Sequence, residues 1–231
     1  MSGGRTVAIE LNLGEVSQYH GLRCRGLVRP RSVVVIEKLL AEIAAQDVLR
    51  GRLSFAVCPI DNIEHGVIHL ADGGQLQAPI AAHKLNKASH LFMGVVTLGE
   101  VIGEAVSRRF ENKRRLEAIM LDEIANFCLM KAVNDLEQCG AQEAQRRGLT
   151  ISGPLSPGED GFELSAQGTI LKRADAEAVG VSITSASMMY PRHSLTVVYG
   201  IGQSMPVWSQ LKNCEDCRSR DKCPHRLALE A

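Results

Sequence analysis

Residues 113–147 constrain this chain more than any other stretch. Leu116, Ile119, Met120, Ile124, Phe127, Cys128, Met130 and Val133 recur there at helical spacing, yet spread over most faces of the helix they imply. Such a helix is predicted to be buried by neighbours on more than one side. Gly140 is expected to bend or interrupt it, and Gly148 to stop it. Aromatic residues make up only 4% of the chain, so aliphatic side chains and Met must fill the core around it.

Upstream, residues 6–13 alternate Val7, Ile9 and Leu11 with other residues, the period of a half-buried strand. After Pro30, Ser32 is placed to cap a helix through Val33, Ile36, Leu39, Leu40 and Ile43 that ends near Gly51. Residues 53–58 and 66–70 have the character of short strands, and Asp72, Gly73 and Gly74 are turn chemistry leading into residues 75–78. Residues 89–96 predict a buried strand, and Thr97 with Glu100 has the spacing of a capping box for a helix through Val101, Ile102 and Val106. Beyond the long helix the chain is extended from Leu149 and enters a Gly- and Pro-rich loop over 151–161. A helix over 165–179 follows, then strands over 181–190 and 194–202, joined at Pro191, Arg192 and His193. Strands and helices in this order, with hairpin-like neighbours and no Gly-rich phosphate loop, predict an α+β fold whose mainly antiparallel twisted sheet is wrapped by helices on one side.

Charge removes some partners. Lys plus Arg number 26 and so do Asp plus Glu, which leaves no electrostatic case for nucleic acid or an anionic membrane as the main partner. No apolar run reaches the roughly 18–20 residues that span a bilayer, and the start carries no signal-peptide core, so a cytoplasmic protein is expected. Seven cysteines, an odd count without a secretion signal, argue for metal ligation over a disulfide framework.

Four groups of residues are candidates for chemistry. Asp122 shares a helix face with Asn126 among apolar neighbours, so it is either locally hydrogen-bonded or an acceptor facing a ligand. In the run Leu155, Ser156, Pro157, Gly158 and Glu159, proline fixes φ and glycine admits close approach, which suits a structural turn or a binding loop. Tyr190 and Tyr199, two of three tyrosines, fall on adjoining strands where they either stack on a flat ligand or fill the core. His65 and His69, four apart on or beside a strand, do not converge as they would on a helix and are set aside as metal ligands.

The order of the loop with Ser156, Pro157 and Gly158, the strand entry Val179, Gly180 and Val181, and the Met-containing strand from Ser187 to Pro191 resembles the activation domain of cobalamin-dependent methionine synthase, closest to its short free-standing relatives. The match runs from about Gly94 to Gly202. It implies an activation-domain-like portion over 94–212, with 1–93 an N-terminal α/β portion of the same domain and 213–231 a separate Cys-rich tail. In that family the domain binds S-adenosylmethionine and docks over a corrinoid, so that cob(II)alamin is reduced and remethylated. Resemblance therefore implies a corrinoid protein as partner, docked on a concave side that bears residues 155–159 and Tyr199, which matches an aromatic position of the family. The chain has no Asp-x-His-x-x-Gly run to bind cobalt, so the corrinoid has to come from that partner. It also departs from the pattern: Pro154 and Glu159 stand where the family has Arg and Tyr, and Ala186 or a neighbour where it often has Glu. Glu159 cannot replace Arg at a carboxylate, which leaves S-adenosylmethionine short of two contacts.

The tail carries the strongest chemical signal. Cys214 and Cys217, with a two-residue gap, turn both thiolates toward one ion or cluster, and Cys223 closes the same face, followed by Pro224. An iron-sulfur cluster of the 4Fe-4S type fits three cysteines with a further ligand on the fourth iron, whereas zinc would need His225, only two residues after Cys223. Cys24, Cys58, Cys128 and Cys139 are all open as a fourth ligand. Arg218, Arg220, Lys222 and Arg226 would offset the thiolate charge. Three functions remain in order: an accessory protein of corrinoid-dependent methyl transfer; a non-catalytic module binding a corrinoid protein, pterin or nucleoside with a structural metal; and an S-adenosylmethionine-dependent enzyme.

Overall fold

The computed structural model describes residues 4–23, 29–46, 49–159 and 161–208; Cys24 and the Cys-rich tail lie outside them. Nine strands and six α-helices follow one another among these residues: β1 (Arg5–Ala8), α1 (Leu13–Arg23), α2 (Pro30–Gln46), β2 (Arg50–Glu64), β3 (Val67–Leu70), β4 (Gln75–Gln77), α3 (Pro79–Lys84), β5 (His90–Thr97), α4 (Val101–Glu111), α5 (Arg115–Arg146), β6 (Thr150–Ile151), α6 (Gln167–Arg173), β7 (Ser182–Ile183), β8 (Met189–Tyr190) and β9 (Ser194–Gly202). The main sheet runs β4-β3-β2-β5-β9-β6, β1 adds to β2, and every pairing is antiparallel. The architecture is thus α+β, as the pattern of elements predicts.

Side chains alternate across the sheet and divide the core. Leu53, Phe92, Val96, Val197, Tyr199 and Ile201 face α1, α2, α4 and α5, while Cys58, Leu91, Met93 and Val198 face α3, α6 and the 151–161 loop. Helices therefore cover both faces, not one. This explains the continuous apolar run of β5, in which seven of eight residues are buried.

The long helix lies on this sheet without interruption. Gly140 does not bend α5: it faces the sheet, where a Cβ would stand 2.7 Å from Ile151 and 3.4 Å from the Phe92 ring. Gly94 makes the reciprocal concession on β5, since a Cβ there would meet the Leu136 side chain at 2.5 Å. Two missing side chains allow the close approach.

Several local expectations are corrected. The first strand stops at Ala8, because Asn12 accepts a bond from the Glu15 amide at 2.8 Å and starts α1, whose buried residues are Val16 and His20. Pro30 is the first residue of α2, so Ser32 lies inside its first turn, and the helix ends at Gln46. The strand over 53–58 is the middle of a 15-residue β2. Thr97 caps nothing; its hydroxyl receives Gly99 N at 3.1 Å and Ser194 Oγ at 2.8 Å, tying the end of β5 to the start of β9. Helix 165–179 is broken at Asp175, which adopts φ +54° and leaves α6 flanked by short 3-10 turns. Strand 181–190 is a small hairpin, β7 and β8, reversed at Ser187 with φ +58°. No helix of the described residues is long and apolar enough to cross a membrane.

Replacing Gly94 by Val is expected to destabilise the fold by about 1–3 kcal/mol through overpacking against Leu136. Leu136→Ala alone should cost about 2–5 kcal/mol. Urea unfolding of the double variant should show a loss well below the sum, because each change relieves the other; strict additivity would mean that Gly94 does not set the helix-sheet distance.

Candidate functional site

The structure separates the sequence-predicted residues into two places and a core position. Leu155 forms a two-way backbone bridge with Val198, N to O at 3.0 Å and 2.8 Å, so the loop extends the open edge of β9. The Leu155 side chain is buried with Val198 and Phe162, on the α3 and α6 face. Ser156, Pro157, Gly158 and Glu159 turn the chain over on themselves: Glu159 N donates to Ser156 O, Gly158 N to Phe162 O and Phe162 N to Glu159 O. Gly158 uses φ +91°, the conformation that its missing Cβ permits. Beside the loop lies Trp208, whose indole N–H donates to Pro154 O at 3.1 Å, whose ring receives Lys84 Nζ at 5.4 Å, and whose backbone and ring crowd Gly153.

Tyr199 does not join that surface. Its ring is fully buried on the opposite face of β9, 6.0 Å from Phe92 in an edge-on arrangement, and its hydroxyl has no partner among the described residues. Burial drives the phenol well above its ordinary pKa. Tyr190 is half exposed at the end of β8, near Glu100, whose carboxylate raises the phenol's pKa. Tyr190 and Tyr199 thus share no ligand face: the first lines a surface groove and the second fills the core.

Asp122 sits at a polar junction with His193, Arg192 and Asn126. Its Oδ1 accepts from His193 Nε2 at 3.0 Å and from Arg192 Nη2 at 2.9 Å, while Asn126 Nδ2 donates to the Asp122 backbone O at 2.9 Å and lies 3.4 Å from Oδ2. The bond from His193, then the positive charge of Arg192, holds the carboxyl below the usual carboxylate range against the opposing effect of burial. His193 is 3% exposed, and the Asp122 carboxylate selects the tautomer with the proton on Nε2. In the neutral ring Nδ1 is then a lone pair, buried and without a partner among the described residues. Leu98 N and the Thr97 hydroxyl both donate to the His193 carbonyl, which fixes the backbone under the ring. The clue in the sequence is that an acid amid apolar helix residues requires a partner, and Arg192 and His193 open the strand beside it.

A groove of about 400 Å³ runs from this junction along α4, lined among others by Glu100, Gly103, Glu104, Tyr190 and Arg192. The metal candidates divide differently. Cys214, Cys217, Cys223 and Cys24 lie outside the described residues. Among the described residues no three His, Cys, Asp or Glu side chains converge as metal ligands, His65 and His69 included. Of the possible fourth ligands, Cys128 is fully buried in the α5 core, where burial pushes its thiol up to about 12. Burial also raises the Cys58 thiol, whereas Cys139 is only partly covered, with Arg5 Nη1 3.7 Å from its sulfur.

The Asp122 junction carries a stability prediction with a definite sign. A carboxyl whose folded pKa is depressed stabilises the fold above its unfolded value, near 3.9, and that contribution is lost as pH falls through the lower folded value. Asp122→Ala should lower stability at neutral pH by about 1–3 kcal/mol, because it leaves buried His193 unsatisfied. Asp122→Asn should flatten the acid limb of a stability profile measured by urea unfolding; an unchanged limb would assign the acid sensitivity to other carboxylates.

No family model matches the chain, and no curated protein matches it. Among solved structures it is similar to the crystal structure of the MetH reactivation domain bound to AdoHcy, with a TM-score of 0.54 over 95% of this chain and 86% of that one. Identity is 14%, so the likeness is one of fold. It extends over nearly the whole chain, and the fold is activation-domain-like.

Proposed function

We propose that the protein is a cytoplasmic accessory of corrinoid-dependent methyl transfer, which docks on a corrinoid-carrying protein and holds an iron-sulfur cluster in its tail on Cys214, Cys217 and Cys223. The observation that carries this reading is the likeness in fold to the MetH reactivation domain over 95% of the chain. The cysteine spacing supplies the second half, since thiolates two apart are suited to a cluster. Such a group, when bound, would supply a single low-potential electron. The chain's own part is to keep it near the docking face. Trp208 is anchored beside the loop, and six residues of chain to Cys214 reach no further than about 22 Å. Cys58 or Cys139 suits the fourth position better than Cys128, whose thiol is enclosed on all sides.

S-adenosylmethionine stands outside the proposal. The neighbour binds AdoHcy, but the residues present here do not fit a ligand of that kind at the loop. Pro154 and Glu159 offer no guanidinium or phenol, the Leu155 side chain is in the core, the Pro154 carbonyl is taken by Trp208, and Gly153 is covered by it.

Two measurements test the proposal. Anaerobically purified protein should be brown and contain iron and sulfide, with the colour lost in Cys217→Ser; colourless protein with stoichiometric zinc would replace the cluster by a structural metal. Pull-down against corrinoid proteins of the same cell should recover a complex, and more of it when cobalt is in the cob(II)alamin state. Absence of association in both cobalt states would remove the corrinoid reading.

A further inference from the structure

We propose that the groove between α4 and the segment of Tyr190, Pro191 and Arg192 is a binding site for a small primary ammonium ion, read by the buried lone pair of His193. The inference stands apart from the corrinoid reading and uses none of the tail.

Two independent observations meet there. The first is the lining: Glu100, Glu104 and Glu111 border a groove of about 400 Å³ together with the Tyr190 ring and Ser107. Their cations are poorly engaged with them. Arg108 approaches Glu104 only to 3.9 Å, and Arg192 is bonded to Asp122. Glu100 instead faces the Tyr190 phenol, whose ring offers a π-face to a cation. Carboxylates alone would make this no more than a solvated helix face.

The second observation is the acceptor beneath it. His193 is buried to all but 3%, donates through Nε2 to Asp122, and leaves Nδ1 without a partner among the described residues. An unmet buried acceptor is costly, so the fold holds a lone pair ready for a donor. Nδ1 lies under Gly103, a residue that lines the groove. A Cβ at Gly103 would stand 3.7 Å from Nδ1, and 3.5 Å from Cγ of Arg192. At this glycine the aliphatic stem of Arg192 stands between the groove and the lone pair, and a ligand that reaches Nδ1 has to displace that stem.

A primary ammonium group matches both features. One N–H donates to Nδ1, the others meet the Glu100 and Glu104 carboxylates, and the charge sits against the Tyr190 ring. An anion is disfavoured by the carboxylates, and a quaternary ammonium has no N–H to give. With Asp122 holding the proton on Nε2, the neutral imidazole presents Nδ1 as an acceptor.

Gly103 supplies a test that does not depend on damaging the fold. Its would-be Cβ makes ordinary van der Waals contacts, and alanine is the better helix former, so Gly103→Ala should fold at least as stably as the parent. With the full chain labelled at histidine nitrogen, n-butylammonium should shift the Nδ1 resonance of His193 in a saturable titration, whereas tetramethylammonium should not. Gly103→Ala should weaken the n-butylammonium response about tenfold or more, and Glu104→Gln several-fold. A His193 resonance that ignores n-butylammonium, that responds equally to tetramethylammonium, or that responds unchanged in Gly103→Ala would overturn the site and leave Nδ1 bonded to water.

Discussion

The rest of the structure depends on how closely α5 approaches β5. Leu136 occupies the space above Gly94, and Gly140 admits Phe92 and Ile151, so the longest helix can lie directly on the central strand. That contact organises the larger core, which gathers residues of α1, α2, α4 and β9 around the same helix. It also determines where the helix's polar residues arrive. Asp122 lies 14 residues before Leu136, roughly 21 Å along the axis, and this brings it to the start of β9, where His193 and Arg192 are waiting. The polar junction is thus a consequence of apolar packing elsewhere on the helix.

Strand parity then decides which residues can act together. Along β9, Val197 and Tyr199 face α5 while Val198 faces the Leu155 loop, so residues one apart in sequence belong to different cores. Reading Tyr199 together with residues 155–159 as one binding surface overlooks this alternation. The same rule frees Tyr190. It belongs to the short β8, outside the main sheet, and its ring stands in the groove along α4.

Much of the fold was legible in the sequence because its signals are strong and local. The apolar run of β5, the helical stripe of α2 and the two-sided pattern of α5 each announce their element. Features that escaped had two signals in competition. Asn12 and Glu15 mark a helix start, but Val7, Ile9 and Leu11 continue a strand rhythm up to it, so the expected strand runs to Leu13 and α1 goes without a prediction. Thr97 and Glu100 have capping spacing, yet Thr97 is drawn into the β5–β9 tie by Ser194, a tertiary contact with no local trace. Of the candidate site residues, Asp122 was visible as an acid in apolar company. Its partners were not, because 70 residues separate it from Arg192 and pairing at that range follows from topology.

Two regions of chemical interest are held apart by the same strand. His193 precedes β9, and Gly200, which meets the Ser152 hydroxyl beside Gly153 and the Trp208 anchor, lies near its far end. Seven residues of strand put them about 23 Å apart. Eight of the nine β9 residues are buried, which makes the strand a rigid spacer between the α4 groove and the loop edge beside Trp208. No side chain is common to the two regions, and one lies against α4 and α5 while the other lies against α3 and the loop. Changes that distant, with no shared partner, act additively on stability. A groove occupied or blocked at Gly103 therefore leaves the Trp208 anchorage at the other end of β9 as it was.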